Sequence, residues 1–266
     1  MNITTILPIH EYDEKIETFL DKALNSVILQ EGIDKISLIL VYASKIKDDI
    51  NKYIKKYDKT SLNIILVENN GNTDFQSQIN LGVDSVKTDY FSILEFDDEL
   101  STTYYKRGEE YIKFYPETDM FLQIIVETNE SENALKLTNE TVWSKSFVGE
   151  NGTLGFLSAK SLNQYTDFKI CGSIIKKSEF EVVGKLKSNI ILSFQYEYLL
   201  RLINNGGKVF TIPKIGYKHL VTREGSLFDT YQKELNLIAR KFWFDTAKKE
   251  SNFFSDREID VSSLIK

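Results

Sequence analysis

The sequence has one cysteine, Cys171, in 266 residues, so disulfides within the chain are excluded. A single thiol, and an N-terminus without the basic start of a signal peptide, lead us to expect a cytoplasmic setting. Three prolines and thirteen glycines leave no room for a flexible linker or a low-complexity region. Nowhere do apolar residues run for the roughly 20 positions of a membrane span. His10 and His219 are the two histidines, which excludes a His-rich metal site. No internal repeat appears at the usual periods. What is present is an ordinary globular composition, 42% hydrophobic and 27% charged, long enough for one large domain or two small ones.

Charge is unevenly placed. Residues 1–130 hold 13 Lys and Arg against 24 Asp and Glu, and residues 131–266 hold 20 against 15, so a net of −11 is followed by +5. A solvated acidic face accounts for the first value, but the change of sign points to different partners for the two halves.

Strands and helices alternate from the start. Asn2 to Pro8 reads as a strand that Pro8 stops, and Ile36–Val41 and Leu62–Val67 as the next two. Ile16, Phe19, Leu20, Ala23, Leu24, Val27 and Ile28 fall at helical spacing, with Asp13 and Glu14 in the first turn. A Lys-rich helix over 46–58, a turn at 69–72 and a helix over 74–86 follow. The short apolar run Tyr90–Leu94 is a fourth strand, and it runs into Glu95, Asp97, Asp98 and Glu99. This order predicts an α/β class, a doubly wound, Rossmann-like nucleotide-binding half. Acids at the carboxyl end of such a strand stand where open sheets bind ligands, and their oxygens suit Mg²⁺ or Mn²⁺ holding a diphosphate.

Several blocks together resemble family-two glycosyltransferases of the GT-A fold: Ile6-Leu7-Pro8-Ile9, Ala23 to Gln30, Asn70-Gly71, Asn80-Leu81-Gly82 and Tyr90 to Asp98. The resemblance covers residues 2–100 well and 170–226 more loosely. It implies a Rossmann-like GT-A fold with a mostly parallel central sheet, helices on both faces and a C-terminal helical segment. Residues 1–128 would be the nucleotide-sugar half, 129–226 the acceptor half and 227–266 a helix and tail. The family's Asp-x-Asp falls on Glu95-Phe96-Asp97, making Asp97 the expected metal ligand and placing Glu95 by the ribose or a metal-bound water. Pro8, Asn70 and Gly71 fall in its nucleotide-binding blocks. Where the family has a base-reading acid after the second strand, this chain has Tyr42, either a base-stacking ring or a strand-end aromatic.

The polar stretch 129–160 is too long for an ordinary connection and reads as a lid or binding loop; the resemblance implies that it faces the acceptor. Trp143 offers a sugar or base platform there or else fills core, and with a DNA acceptor Trp143, Phe147 or Phe156 could fill or flank the space left by an extruded base. Cys171–Ile175 reads as a strand, Gly184–Lys187 as a loop and Ser193 as the cap of a helix with Tyr196, Leu199, Leu200 and Ile203 on its apolar face. The family's catalytic base aligns with Gln195, which cannot take a proton. Glu197 is the nearest acid, either the base or an i, i+4 partner of Arg201. A strand over 208–213 precedes His219, which the resemblance makes either a ligand completing the metal shell or a partly buried structural histidine, and Arg223 and Ser226, which can bind the diphosphate.

These expectations describe a metal-dependent, inverting glycosyltransferase using Mn²⁺ or Mg²⁺, transferring a hexosyl or pentosyl group from a nucleoside-diphosphate sugar to an acceptor hydroxyl. The alternatives are a sugar-nucleotide pyrophosphorylase, whose glycine-rich loop is missing at Pro8–Tyr12, and an inactive binding protein of the same fold. Residues 217–228 also resemble glycosyltransferases of tailed bacteriophages, some of which glycosylate hydroxymethylated DNA bases in the host cytoplasm. Ten Lys and Arg against three Glu between Lys169 and Arg223 would suit such a polyanionic acceptor; a glycan is the default.

Overall fold

Period-two alternation sorts the first strands onto two faces. In β1 (Ile3–Ile9), Ile3, Leu7 and Ile9 join one apolar cluster and Ile6 a second. In β2 (Ile36–Ala43), Ile36, Leu38 and Leu40 join the first, and Ile39 and Val41 the second. Strands buried on both faces need helices above and below. The computed structural model describes residues 2–33, 35–140, 156–164, 166–221, 223, 226 and 237–250.

Around these strands run α1 (Glu14–Ile28), α2 (Lys47–Tyr53), β3 (Leu62–Asn69), α3 (Phe75–Asp84), β4 (Tyr90–Ile93), β5 (Glu99–Leu100) and α4 (Tyr104–Phe114). Then come β6 (Met120–Thr128), β7 (Ala134–Thr138), α5 (Ala159–Gln164), β8 (Ile174–Lys176), α6 (Lys177–Val183), α7 (Phe194–Asn204), β9 (Val209–Leu220) and α8 (Leu237–Glu250). Asp13 is the N-cap of α1 and accepts from Ile16 N at 2.8 Å; Asp74 caps α3 in the same way from Ser77 N at 2.9 Å. The expected Lys-rich helix is broken into α2 and two flanking 3₁₀ turns, Ser44–Ile46 and Ile54–Tyr57.

The sheet order is β3-β2-β1-β4-β8-β6-β9-β5, with β7 paired to β6. Strands β1 to β4, β6 and β9 run parallel, and β5, β7 and β8 run against them. The expected α/β, Rossmann-like class with a mostly parallel sheet and helices on both faces holds. One sheet runs unbroken across residue 128. α8 lies against α7, where Ser193 Oγ donates to Trp243 O at 2.7 Å. Ser193 stands at the N-cap of α7, yet its hydroxyl serves that contact and not the helix.

Pro8 was expected to stop its strand and the strand over 208–213 to end at Pro213, and neither strand ends there. Pro8 sits within β1 opposite Val41, where β4 has already ended at Ile6, so one side of the strand needs no N–H. Pro213 falls in a bulge: Gln123 pairs with Ile212, Ile124 with Ile215 and Ile125 with Tyr217. β9 therefore continues to Leu220. The expected strand at Cys171 starts only at Ile174, because Cys171 and Gly172 form a turn, with Gly172 at φ +67°.

Candidate functional site

The site follows from how β4 ends. Leu94 N still donates to Ile6 O at 3.0 Å, and then the chain turns, with Asp98 N donating to Glu95 O at 3.2 Å. It returns as β5, where Glu99 lies opposite Lys218 and Leu100 opposite Tyr217 of β9. The extension of β9 past Pro213 thus lays residues 217–220 along the acidic turn.

Three of the four acids find a counterpart on this strand or just after it. Asp98 is buried, with Oδ2 2.9 Å from His219 Nδ1 and Oδ1 accepting from Leu220 N at 2.8 Å. Glu99 meets Lys218 Nζ at 2.8 Å. Asp97 accepts from Arg223 Nε at 2.6 Å, and that guanidinium lies 5.0 Å from the centre of the Phe96 ring. Glu95 differs: its backbone N–H donates to Tyr217 Oη at 3.0 Å, while its carboxylate has no hydrogen bond or ion pair among the described residues. One oxygen from each of Glu95, Asp97 and Asp98 lies within 4.8 Å of the others.

Crowding these acids perturbs them. Burial, then the charge of Asp98, pushes Glu95 up to about 8. The same two causes push Asp97 up to about 6 against the pull of Arg223. For His219, burial opposes the charged form, but attraction and hydrogen bonding to Asp98 outweigh it and raise the pKa. Raised carboxylates mean a shortage of positive charge. A divalent cation would supply it, and the donor set of Glu95, Asp97 and Asp98, all hard oxygens, fits Mg²⁺ or Mn²⁺.

The other expected residues divide. Pro8, Asn70 and Gly71 stand at the carboxyl ends of β1 and β3, on the same sheet edge as the acids. There Asn69 Oδ1 accepts from Gly71 N at 2.9 Å and Asn69 Nδ2 donates to Asn72 O at 2.7 Å, which fixes the turn. Ser44 ties this turn to β2 through Asn69 O at 2.9 Å and through the Asn70 side chain. Ser226 N donates to Arg223 O at 3.1 Å, so the two expected diphosphate ligands share one turn. Tyr42, at 4% exposure, is part of the core, which corrects its reading as a base-stacking ring. Trp143 and Phe147 lie outside the described residues. Phe156 is packed against Phe210 and Tyr115.

Glu197 is also corrected. It has no exposed surface, and both its oxygens receive Arg201, from Nε at 2.8 Å and Nη2 at 3.0 Å. Arg201 goes on to donate to the carbonyls of Val183, Gly184 and Lys185. A carboxylate so enclosed braces α7 and cannot meet an acceptor hydroxyl. Gln195, at the family's base position, accepts from Ile170 N at 2.7 Å and holds the segment before Cys171. Sequence reasoning missed Cys171, whose thiol lies within 4.8 Å of donor atoms of Glu95 and His219, and Tyr217, the anchor of Glu95. It also missed the buried pair of Lys169 Nζ and Glu127 Oε1, 2.8 Å apart. The alternation of Tyr217, Lys218 and His219 was a strand signal hidden behind Pro213.

Comparison with protein families matches residues 4–178 to "Glycosyl transferase family 2". Among solved structures, residues 1–349 of TarS from S. aureus superpose with a TM-score of 0.62 at 13% identity, over 83% of this chain and 60% of that one. The same TarS segment in complex with UDP gives 0.62 at 12% identity, over 96% and 73%. Its complex with UDP-GlcNAc gives 0.59 at 13%, over 86% and 61%. At such identities the likeness is one of fold. Against curated proteins the sequence finds no match.

Proposed function

The chain belongs to glycosyl transferase family 2, and on that premise we propose that it is a metal-dependent, inverting transferase moving a sugar from a nucleoside-diphosphate sugar to an acceptor hydroxyl. The observation that carries this reading is the acidic turn at the carboxyl end of β4. It gathers Glu95, Asp97 and Asp98 and leaves the Glu95 carboxylate open, on the same edge as the Asn70-Gly71 turn. The TarS complexes with UDP and UDP-GlcNAc favour a uridine donor. Mn²⁺ or Mg²⁺, when bound, supplies charge neutralisation to the departing diphosphate. Glu95 and Asp97 would hold it, with His219 offering the ring nitrogen that Asp98 does not occupy. Arg223 is the multi-donor cation of the site and would exchange Asp97 for a diphosphate oxygen. Trp143 stays the proposed acceptor platform.

For the acceptor we favour a glycan. The cationic stretch that suggested DNA is largely cancelled by folding. Of its ten Lys and Arg, eight meet acids: Lys169, Lys176, Lys177, Lys185, Lys187, Arg201, Lys218 and Arg223. Of these ten, Lys208 and Lys214 have no such pair among the described residues. A phosphate backbone needs unpaired cations, so the case for a hydroxymethylated base and a phage-type acceptor weakens.

Gln195 and the enclosed Glu197 favour a second reading, a donor-binding protein that does not transfer. The test is incubation with Mn²⁺ and a panel of nucleotide sugars, UDP-GlcNAc first, measuring donor binding and release of nucleoside diphosphate. Slow, chelator-sensitive release, lost with donor binding in Asp97→Asn, is the expected result. Donor binding without release in the presence of glycan acceptors supports the second reading, and no binding at all removes the site.

A further inference from the structure

Cys171 is the single thiol of the chain, and the fold fixes it beside the acidic turn. Gly172 N donates to Ile93 O at 2.8 Å, and Tyr104 Oη donates to Gly172 O at 2.9 Å, so the residue is tied to the last position of β4. One donor atom each of Glu95, Cys171 and His219 lies within 4.8 Å of the other two. The Glu95 carboxylate is uncommitted among the described residues, whereas Asp97 is held by Arg223 and Asp98 by His219 and Leu220 N. Asp98 has a second effect. A carboxylate on one imidazole nitrogen fixes the ring and leaves the other nitrogen for a metal, and Asp98 is itself anchored by a backbone N–H.

We infer that Glu95, Cys171 and His219 form a mixed oxygen, sulfur and nitrogen site for a borderline-soft divalent cation, Zn²⁺ or Co²⁺. Its donors differ from the all-oxygen group of Glu95, Asp97 and Asp98, though the two groups share Glu95. Hard Mg²⁺ gains nothing from a thiolate, whereas Zn²⁺ binds sulfur, imidazole and carboxylate in one shell. On binding, the thiol proton goes to solvent and a sulfur–metal bond replaces it. Because Glu95 is shared, and His219 is also offered to the Mn²⁺ or Mg²⁺ shell, the thiophilic ion competes with Mn²⁺ or Mg²⁺ and inhibits transfer. That consequence rests on the proposed function, while the site itself does not.

The experiment uses the full chain, freed of metal and titrated with Co²⁺ under reducing conditions. One equivalent is expected to raise a near-ultraviolet sulfur-to-cobalt charge-transfer band. With one cysteine in the chain, Cys171 is its sole source. Cys171→Ser should abolish the band and weaken Zn²⁺ at least about tenfold, and Asp98→Asn, which keeps the thiol, should weaken it roughly 10- to 100-fold. Circular dichroism checks that the variants fold. A wild-type titration without the band overturns the site whatever the variants do, as does a band unchanged in His219→Ala. Nucleoside-diphosphate release with Mn²⁺ is read separately, so its absence removes the transferase reading and leaves the cobalt result standing.

Discussion

Glu197 separates a structural from a catalytic acid, and the distinction is measurable. In Arg201→Ala, the Glu197 carboxylate stays fully buried, with Lys187 Nζ still 3.2 Å away. Three carbonyls, of Val183, Gly184 and Lys185, lose their donor as well. Breaking a buried pair from one side costs about 3–5 kcal/mol, because the surviving charge loses the guanidinium that met both its oxygens. At about 2–4 °C per kcal/mol for a domain of this size, the melting temperature should fall by roughly 6–20 °C. Glu197→Gln is milder. The amide oxygen can still accept from Arg201, so the loss is one charge-assisted interaction, about 1.5–3 kcal/mol. Replacing both partners by apolar residues of similar volume, Glu197→Leu with Arg201→Met, should recover most of the loss. Urea denaturation followed by circular dichroism gives the midpoints, with slopes compared to show that the transition itself is unchanged. A Glu197→Gln protein with wild-type stability and transfer reduced by orders of magnitude would refute this reasoning and return Glu197 to the chemistry.

Acidic crowding gives a pH prediction for the metal-free chain. Glu95 at about 8 and Asp97 at about 6 stand above their ordinary 4.5 and 3.8, so the native state holds protons the unfolded chain releases. Their contribution to stability is present below the ordinary carboxylate range and is lost as pH rises through about 6 and about 8. The raised pKa of His219 acts in the same direction. Thermal midpoints without metal should therefore fall from pH 5 to pH 8, and Mn²⁺ should restore more at the higher value; a rise instead would refute the reading. Gly172→Ala is predicted to be damaging twice over, since φ is +67° and a Cβ would overlap the Tyr217 ring that anchors Glu95. A loss of donor affinity and a lower melting temperature are expected, and a variant normal in both would show that the turn adapts.

The first hundred residues were legible because their information is local. Alternation of Ile, Leu and Val sets the strands, Asp13 and Asp74 mark helix starts, and a buried run followed by four acids announces a strand end. Later features depend on partners far along the chain. Pro213 is a strand terminator only if its missing N–H matters, and a bulge opposite Gln123 makes it not matter. β5 has two residues and exists because β9 is beside it. Tyr42 at a strand end looks the same in sequence whether it faces solvent or core. Blockwise charge counting does not see pairing for a related reason: Lys185 meets Asp84 and Lys218 meets Glu99, pairs that cross from one half of the chain to the other. Glu197 was read as the base even though its i, i+4 relation to Arg201 offered a partner within the helix, the one the fold uses.

The pairing of Asp97, Asp98 and Glu99 with residues on and just after the last strand has a consequence for inheritance. Asp97 answers to Arg223, Asp98 to His219 and Glu99 to Lys218, so these six positions should vary as linked characters across descendants of this chain. A lineage that loses the charge at 98 is expected to change 219 soon after, and one that reverses 99 to reverse 218. For the same reason, grafting residues 95–99 alone into a distant relative would transplant acids without their counter-ions. The unit that can be moved is the turn together with residues 217–223.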